Sequence, residues 1–193
     1  MIIGFTGRLQ TGKTTAANVL VSEFGFQKMS FADPIRSVME DVNPLVCFCG
    51  CDTHYRDAVS RGTYDGAKRE FPEIRRLMQG IGVAMREHAG PDVWVDALVR
   101  RLLATYVEAL EVMDEDANVV IDDVRFVNEE SMIRDLGGSV FRVSRPGLPQ
   151  SSHVSETEGE SIQALHEFLN TGSREEFERS IRSYFESFLG VIE

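Results

Sequence analysis

Met1-Ile2-Ile3-Gly4-Phe5 is a short, uninterrupted apolar run of the kind that forms a strand covered on both faces. Beyond a glycine-containing stretch, Ala16, Val19, Leu20 and Phe24 recur at helical spacing until Gly25 supplies a stop. Phe26 to Ala32 alternates as a second strand, and Asp33-Pro34 predicts an N-cap with proline at the first helical position, opening a helix to about Val42. From Asn43 to Phe71 the periodicity fails. Asn43-Pro44, Gly50, Gly62 and Gly66 punctuate this segment, which reads as inserted or mobile. Pro72 to His88 is helical again, with Ile74, Leu77, Met78, Ile81 and Met85 on one core-facing stripe. After Gly90-Pro91-Asp92 a further helix turns Trp94, Val95, Leu98, Val99, Leu102, Leu103 and Tyr106 mostly inward. Val119-Val120-Ile121 predicts a buried strand, followed by a helix through Met132, Ile133 and Leu136 that ends at Gly137-Gly138. Ser139 to Val143 gives a fourth strand and Leu165 to Leu169 a weak fifth. A last helix, opened by the capping box Ser173-x-x-Glu176, buries Phe177, Ile181, Tyr184, Phe185 and Phe188. Strands alternating with helices and no internal repeat predict one α/β domain.

The length of 193 residues suits that single domain, which needs no disulfide or metal to hold its core. A formal net charge of −11 opposes long-range attraction to nucleic acid or to an anionic membrane, so a small anionic substrate must be met by local arginines and lysines. No run approaches the roughly 20 apolar residues of a membrane span, and the expectation is a soluble, cytoplasmic protein. Cys47, Cys49 and Cys51 lie close together with His54 just beyond, but no second Cys or His pair completes a tetrahedral site. Reduced thiols on a surface loop are the reading.

The glycine-containing stretch carries the chemistry. Gly7-Arg8-Leu9-Gln10-Thr11-Gly12-Lys13-Thr14 matches G-x-x-x-x-G-K-[ST], between a strand and a helix. Its glycines let successive N–H groups turn toward phosphate oxygens, with Gln10, Thr11 and Thr15 beside them. Lys13 reaches the β- and γ-phosphates, Thr14 sets a hydroxyl beside Mg²⁺, and the helix dipole adds positive potential. Such a site takes ATP. Asp122-Asp123 ends the third strand, where a second magnesium contact is needed, and the choice between them falls on Asp123. Arg125 at the same edge can meet phosphates, and Arg142 or Arg145 can close from the far side. Arg75, Gln79, Gly82 and Arg86 form a second line on their helix, roughly 110° from its apolar stripe, able to hold an anionic ligand or simply to face solvent. Trp94 is either packing or a platform for a base. Gln150 to Glu160, polar and containing His153, suits a flap. Several arginines within one chain favour a small-molecule kinase over a switch GTPase, and no N-K-x-D motif is present.

Together with the phosphate loop, five segments resemble the phage deoxynucleoside monophosphate kinase family over nearly the whole chain. They are Phe31-Ala32-Asp33-Pro34-Ile35-Arg36, the Arg75/Gln79/Gly82 line, Trp94-Val95, Asp123-Val124-Arg125-Phe126-Val127-Asn128-Glu129, and His153-Val154-Ser155-Glu156. Val127 stands where that pattern has proline. The resemblance implies a P-loop kinase fold: a five-stranded, mostly parallel sheet flanked by helices, with a helical monophosphate-binding insertion over about 33–92 and a lid over about 145–160. It implies transfer of the γ-phosphate of ATP to a deoxynucleoside 5′-monophosphate with Mg²⁺, in a host cytoplasm if the source is viral. Lys13, Asp123, Arg125 and Arg142 would be catalytic, and Thr14 and Asp123 the metal contacts. Gly7, Gln10, Thr11, Gly12, Lys13, Thr14, Thr15, Arg145 and Asn170 would hold the donor, and Asp33, Arg36, Arg75, Gln79, Arg86 and Trp94 the acceptor. A homodimer stays open. The rival readings are a kinase of another small metabolite, of the dephospho-coenzyme A or phosphomevalonate type, and a noncatalytic nucleotide-binding regulator.

Overall fold

A computed structural model describes residues 1–48, 50–111, 117–148 and 158–190. In chain order the elements are β1 (Ile2–Thr6), α1 (Lys13–Phe24), β2 (Gln27–Met29), α2 (Asp33–Val42), β3 (Leu45–Phe48), β4 (Cys51–His54), α3 (Tyr55–Ser60), α4 (Tyr64–Glu70), α5 (Pro72–Ala89) and α6 (Val93–Glu111). β5 (Val119–Val124), α7 (Val127–Asp135), β6 (Ser139–Ser144), a 3₁₀ turn (Glu158–Ser161), β7 (His166–Leu169) and α8 (Arg174–Phe188) complete them. The chain divides into two units, Met1–Phe31 with Val99–Glu193, and Ala32–Leu98.

The first unit is organised by a five-stranded sheet in the order β2-β5-β1-β6-β7. All four strand pairings are parallel, with Ile3 opposite Val120 on one side and Ser139 on the other. Every residue of β1 is buried, as its apolar run requires when a central strand is covered on both faces. One core cluster joins Ile3 and Phe5 of β1 to Ala16 and Leu20 of α1 and to Phe177, Ile181 and Phe185 of α8. Phe141 sits at its centre, 5.1 Å from the ring of Phe185 and 5.7 Å from that of Tyr184, both edge-on. The Gly25 N–H closes α1 on the Leu20 carbonyl, and Ser173 and Glu176 form the capping box of α8.

The second unit has its own core, in which Met39, Val46, Tyr55, Ala58, Ala67, Phe71 and Ile74 are buried. Burial pushes the Tyr55 hydroxyl up to about 12. Residues 43–71, where periodicity fails, fold as the antiparallel hairpin β3–β4 followed by the short helices α3 and α4. Four-residue strands and helices of six and seven residues are too short for a period to register. Thr63 caps α4 by accepting from the Gly66 N–H at 3.1 Å. Cys47 and Cys51 lie in the hairpin strands, and Cys49 lies outside the described residues.

Other boundaries move by less. Ala32 rather than Asp33 is the N-cap of α2, and Asp33 is its first residue. β2 is only three residues long, while β5 runs on through both aspartates. Met85, Leu103 and Phe188, expected to face inward, are exposed.

Candidate active site

Residues 7–14 join β1 to α1 through two glycines at positive φ, Gly7 at 141° and Gly12 at 112°. A Cβ on Gly7 would lie 2.2 Å from the Val143 carbonyl oxygen, and one on Gly12 would lie 2.7 Å from Asn170 Nδ2. The loop backbone therefore passes where no side chain fits. Gln10 takes a left-handed φ of 64° without being glycine, so it too is held by its surroundings. Asn170, expected to touch the donor, is buried and donates through Nδ2 to the Thr11 carbonyl at 2.8 Å. Its place is behind the loop. Thr11 Oγ1 donates to the Arg8 carbonyl at 2.9 Å, and the buried Lys13 donates through Nζ to the Gly7 and Arg8 carbonyls at 2.7 Å each. Thr15 is half-buried in the first turn of α1, and Gln10 is exposed.

Sequence reasoning sets Asp123 beside Thr14; the structure sets Asp122 there. Both residues lie within β5, and adjacent strand residues point to opposite faces. Asp122 is buried, and its Oδ2 accepts from Thr14 Oγ1 at 2.9 Å and pairs with Lys28 Nζ at 2.8 Å. Asp123 accepts instead from Ser30 Oγ at 2.5 Å and from the Phe31 N–H at 2.8 Å. Burial holds the Asp123 carboxyl above the usual carboxylate range, and the neighbouring Asp122 charge adds to this. The Ser30 bond, the Arg125 charge and the Phe31 bond act the other way.

A cavity of about 230 Å³ opens beside the loop at the carboxyl ends of β1, β5 and β6. Arg8, Arg125, Arg142 and Arg145 all line it. Arg142 spans to the 3₁₀ turn, donating to the Gly159 carbonyl at 3.2 Å and to the Ile162 carbonyl at 2.6 Å, and Arg8 pairs with Glu160. The backbone N–H of Arg125 donates to Glu129 at 2.7 Å, and the same carboxylate accepts from the Phe126 N–H at 3.1 Å. Glu129 thus fixes the turn that carries Arg125. Val127 is the first residue of α7, a position where proline is equally admissible, so its substitution leaves this turn intact. Residues 149–157, most of the expected lid together with His153, lie outside the described residues.

The expected acceptor residues all fall in the second unit. Asp33 and Arg36 pair with each other, and the Arg36 guanidinium lies 4.8 Å from the centre of the Tyr64 ring. Arg75 and Gln79 are exposed on α5, while Arg86 donates to the Pro91 carbonyl at 3.0 Å. Trp94 is only 5% exposed and donates through Nε1 to the Gly82 carbonyl at 3.0 Å. Its ring is therefore core rather than a base platform. Lys28 and Glu129 escape sequence reasoning as site residues; the signal for Lys28 is a lone cation in a strand paired with Val120.

The family model described as deoxynucleotide monophosphate kinase matches residues 57–181. A protein of Acanthamoeba polyphaga mimivirus, provisionally named deoxynucleotide monophosphate kinase, is 31% identical over 196 residues, covering 95% of each chain. An uncharacterised protein of ictalurid herpesvirus 1 (strain Auburn) is 24% identical over 92% of this chain and 64% of its own. Among solved structures, the chain is similar to shikimate kinase from Aquifex aeolicus, with 13% identity, 98% coverage of each chain and a TM-score of 0.44. It is likewise similar to dephospho-CoA kinase from Campylobacter jejuni, with 15% identity, 96% coverage of each and a TM-score of 0.44. With a family match over well over half its length and a full-length relative of the same name, this chain belongs to the deoxynucleotide monophosphate kinase family and is a nucleotide kinase, a phosphotransferase.

Proposed function

We propose that the chain transfers the γ-phosphoryl group of ATP to the 5′-phosphate of a deoxynucleoside monophosphate, giving ADP and a deoxynucleoside diphosphate for viral DNA synthesis. The observation that carries this reading is the Thr14 hydroxyl on the Asp122 carboxylate, 2.9 Å apart, at the end of a loop clamped by Asn170 and by the Val143 backbone. An oxygen of the acceptor phosphate attacks the γ-phosphorus as the bond from that phosphorus to the β,γ-bridging oxygen breaks. Little covalent chemistry falls to the protein, so alignment and charge carry the rate.

Lys13 supplies the fixed positive charge for the β- and γ-phosphates, from a buried position where it acts through little solvent. Thr14 and Asp122 are both oxygen donors, the set that suits Mg²⁺, which when bound there would neutralise charge on the donor phosphates. Arg125 and Arg142 stabilise charge on the transferring group, and Arg145 holds the donor. Arg75, Gln79 and Arg86 recognise the acceptor, together with Asp33 and Arg36. With a net charge of −11 the chain works on small molecules rather than on nucleic acid, and it does so in the cytoplasm.

The deciding experiment supplies the full chain with ATP, Mg²⁺ and each common deoxynucleoside monophosphate, and follows ADP release by a coupled assay. ADP formation that depends on at least one of these acceptors is expected. Stimulation by none of them would overturn the proposal, and stimulation by dephospho-coenzyme A or phosphomevalonate alone would replace it.

A further inference from the structure

Thr6 ends β1, one residue before the phosphate loop, and is 1% exposed. Its hydroxyl is buried with no hydrogen-bond partner among the described residues. Buried polar atoms are rarely left so, and a valine would occupy the same space in this strand without burying a hydroxyl. Thr6 is among the residues that line the arginine-rich cavity, along with Gly7, Arg8, Arg125 and Arg142. The glycine backbone of the 3₁₀ turn lies over it, since a Cβ on Gly159 would be 3.9 Å from Thr6 Oγ1 and 3.5 Å from the Arg125 carbonyl.

The burial, the open bonding capacity and the surrounding guanidiniums point one way. Guanidiniums select an anion with several oxygens, and a hydroxyl among them adds one directed donor at a fixed point on the wall. We propose that Thr6 is a further substrate-contacting residue, donating its hydroxyl to a phosphoryl oxygen held in the cavity beside Arg125 and Arg142. Its use in turnover rests on the kinase reading above; binding of a phosphoryl group in this cavity does not. The cavity volume of about 230 Å³ accommodates a phosphate or pyrophosphate group. Donor and acceptor both carry such oxygens, and kinetics distinguish them.

Thr6→Val removes the hydroxyl and keeps the shape, and Thr6→Ser keeps the hydroxyl. Each is compared with the wild-type chain in calorimetric titrations with inorganic pyrophosphate, in melting temperature, and in KM for ATP and for the accepted monophosphate. A hydrogen bond to a charged group is typically strong enough that its loss should weaken pyrophosphate binding about 10- to 100-fold in Thr6→Val, with Thr6→Ser within about threefold of wild type. Thr6→Val should melt no lower than wild type. A raised KM for ATP assigns the oxygen to the donor, and a raised KM for the monophosphate assigns it to the acceptor.

Unchanged pyrophosphate binding and kinetics in Thr6→Val would overturn the proposal, leaving the hydroxyl to a structural water. So would loss of binding in both variants accompanied by equal falls in melting temperature, which marks a packing role. If wild-type chain phosphorylates no deoxynucleoside monophosphate but Thr6→Val still loses pyrophosphate binding, the kinase reading fails and the assignment of Thr6 stands. If wild type is active and Thr6→Val matches it in every measurement, Thr6 alone is refuted.

Discussion

Replacing Asp122 and Asp123 one at a time by asparagine separates two carboxylates that the sequence sets side by side. Asp122 gives one oxygen to both Thr14 and Lys28, at 2.9 and 2.8 Å. Asparagine can still accept from Thr14, and the Lys28 partner is one-third exposed, so the weakened ion pair should cost about 1 kcal/mol of stability or less. Turnover is another matter. Removing the negative charge beside the Thr14 hydroxyl would remove the proposed dication contact, and losing one well-placed electrostatic group costs about 2.7 to 4 kcal/mol, or 100- to 1000-fold in kcat. Asp123 spends its two oxygens on different donors, Ser30 and the Phe31 N–H. Asparagine has one acceptor oxygen and must turn an NH₂ toward one of them, for a loss of about 1 to 3 kcal/mol of stability. Relief of burying a charged carboxylate offsets part of that. The assays are urea denaturation and steady-state ADP release over a Mg²⁺ titration. Asp122→Asn should be nearly as stable as wild type, slow, and shifted to higher Mg²⁺ demand, while Asp123→Asn should be less stable and within about tenfold of wild-type kcat. A kcat loss in Asp123→Asn equal to that in Asp122→Asn, or full turnover in Asp122→Asn, would refute the assignment.

Gly7→Ala sets a Cβ at 2.2 Å from a backbone carbonyl in a left-handed region, so the loop must move; ATP-dependent turnover should fall more than 100-fold, read against melting temperature to confirm a folded chain. Asn170→Ala leaves the buried Thr11 carbonyl without its partner, for about 1 to 3 kcal/mol of stability and a raised KM for ATP, with KM for the acceptor unchanged. Arg75→Ala should do the reverse, raising the acceptor KM at least tenfold while ATP binding holds, because Arg75 belongs to the other unit; equal damage to both would reject that division of labour. Tyr55 contributes a pH dependence at the alkaline end. Its native pKa is raised to about 12, so the folded chain keeps the proton that the unfolded chain gives up near pH 10, and stability is lost as pH rises from about 10 through 12. Between pH 9 and pH 11 the loss is about 1.3 kcal/mol and should be much smaller in Tyr55→Phe, as urea midpoints at those two pH values will measure.

What the sequence discloses follows from the range over which its signals act. The phosphate loop and α1 are legible because their demands are local: Gly7 and Gly12 need positive φ, and Ala16, Val19 and Leu20 face one core within little more than one turn of a single helix. β1 and the first half of β5 are legible because a parallel strand buried on both faces reads as an apolar run, and β6 because Val140, Phe141 and Val143 are buried along it. The hairpin β3–β4 is hidden for the converse reason. In its four-residue strands Val46 is a buried anchor of the second core, and one residue makes no period. Trp94 and Asn170 have surroundings that the sequence does not disclose, for a shared reason. Each is a polar-tipped side chain turned inward, satisfied by one carbonyl, Gly82 or Thr11, that no spacing rule can locate.

Asp122 and Asp123 show the same limit at the point where it bears on chemistry. Both are carboxylates at the right edge of the sheet, and nothing in their types ranks them. What ranks them is that β5 continues three residues past Ile121, so alternation sends one carboxylate to Thr14 and Lys28 and the other to Ser30. Strand ends are the least certain part of any reading from pattern, yet here a shift of that size decides which oxygen stands beside the phosphate loop. Had the strand stopped at Ile121, the pair would lie in a loop free to present either group. Because it does not, the pleat of β5 ranks the pair: the carboxylate on the α1 side meets Thr14 and Lys28, and the other ties β5 to the end of β2, holding the edge of the sheet from which Lys28 reaches Asp122.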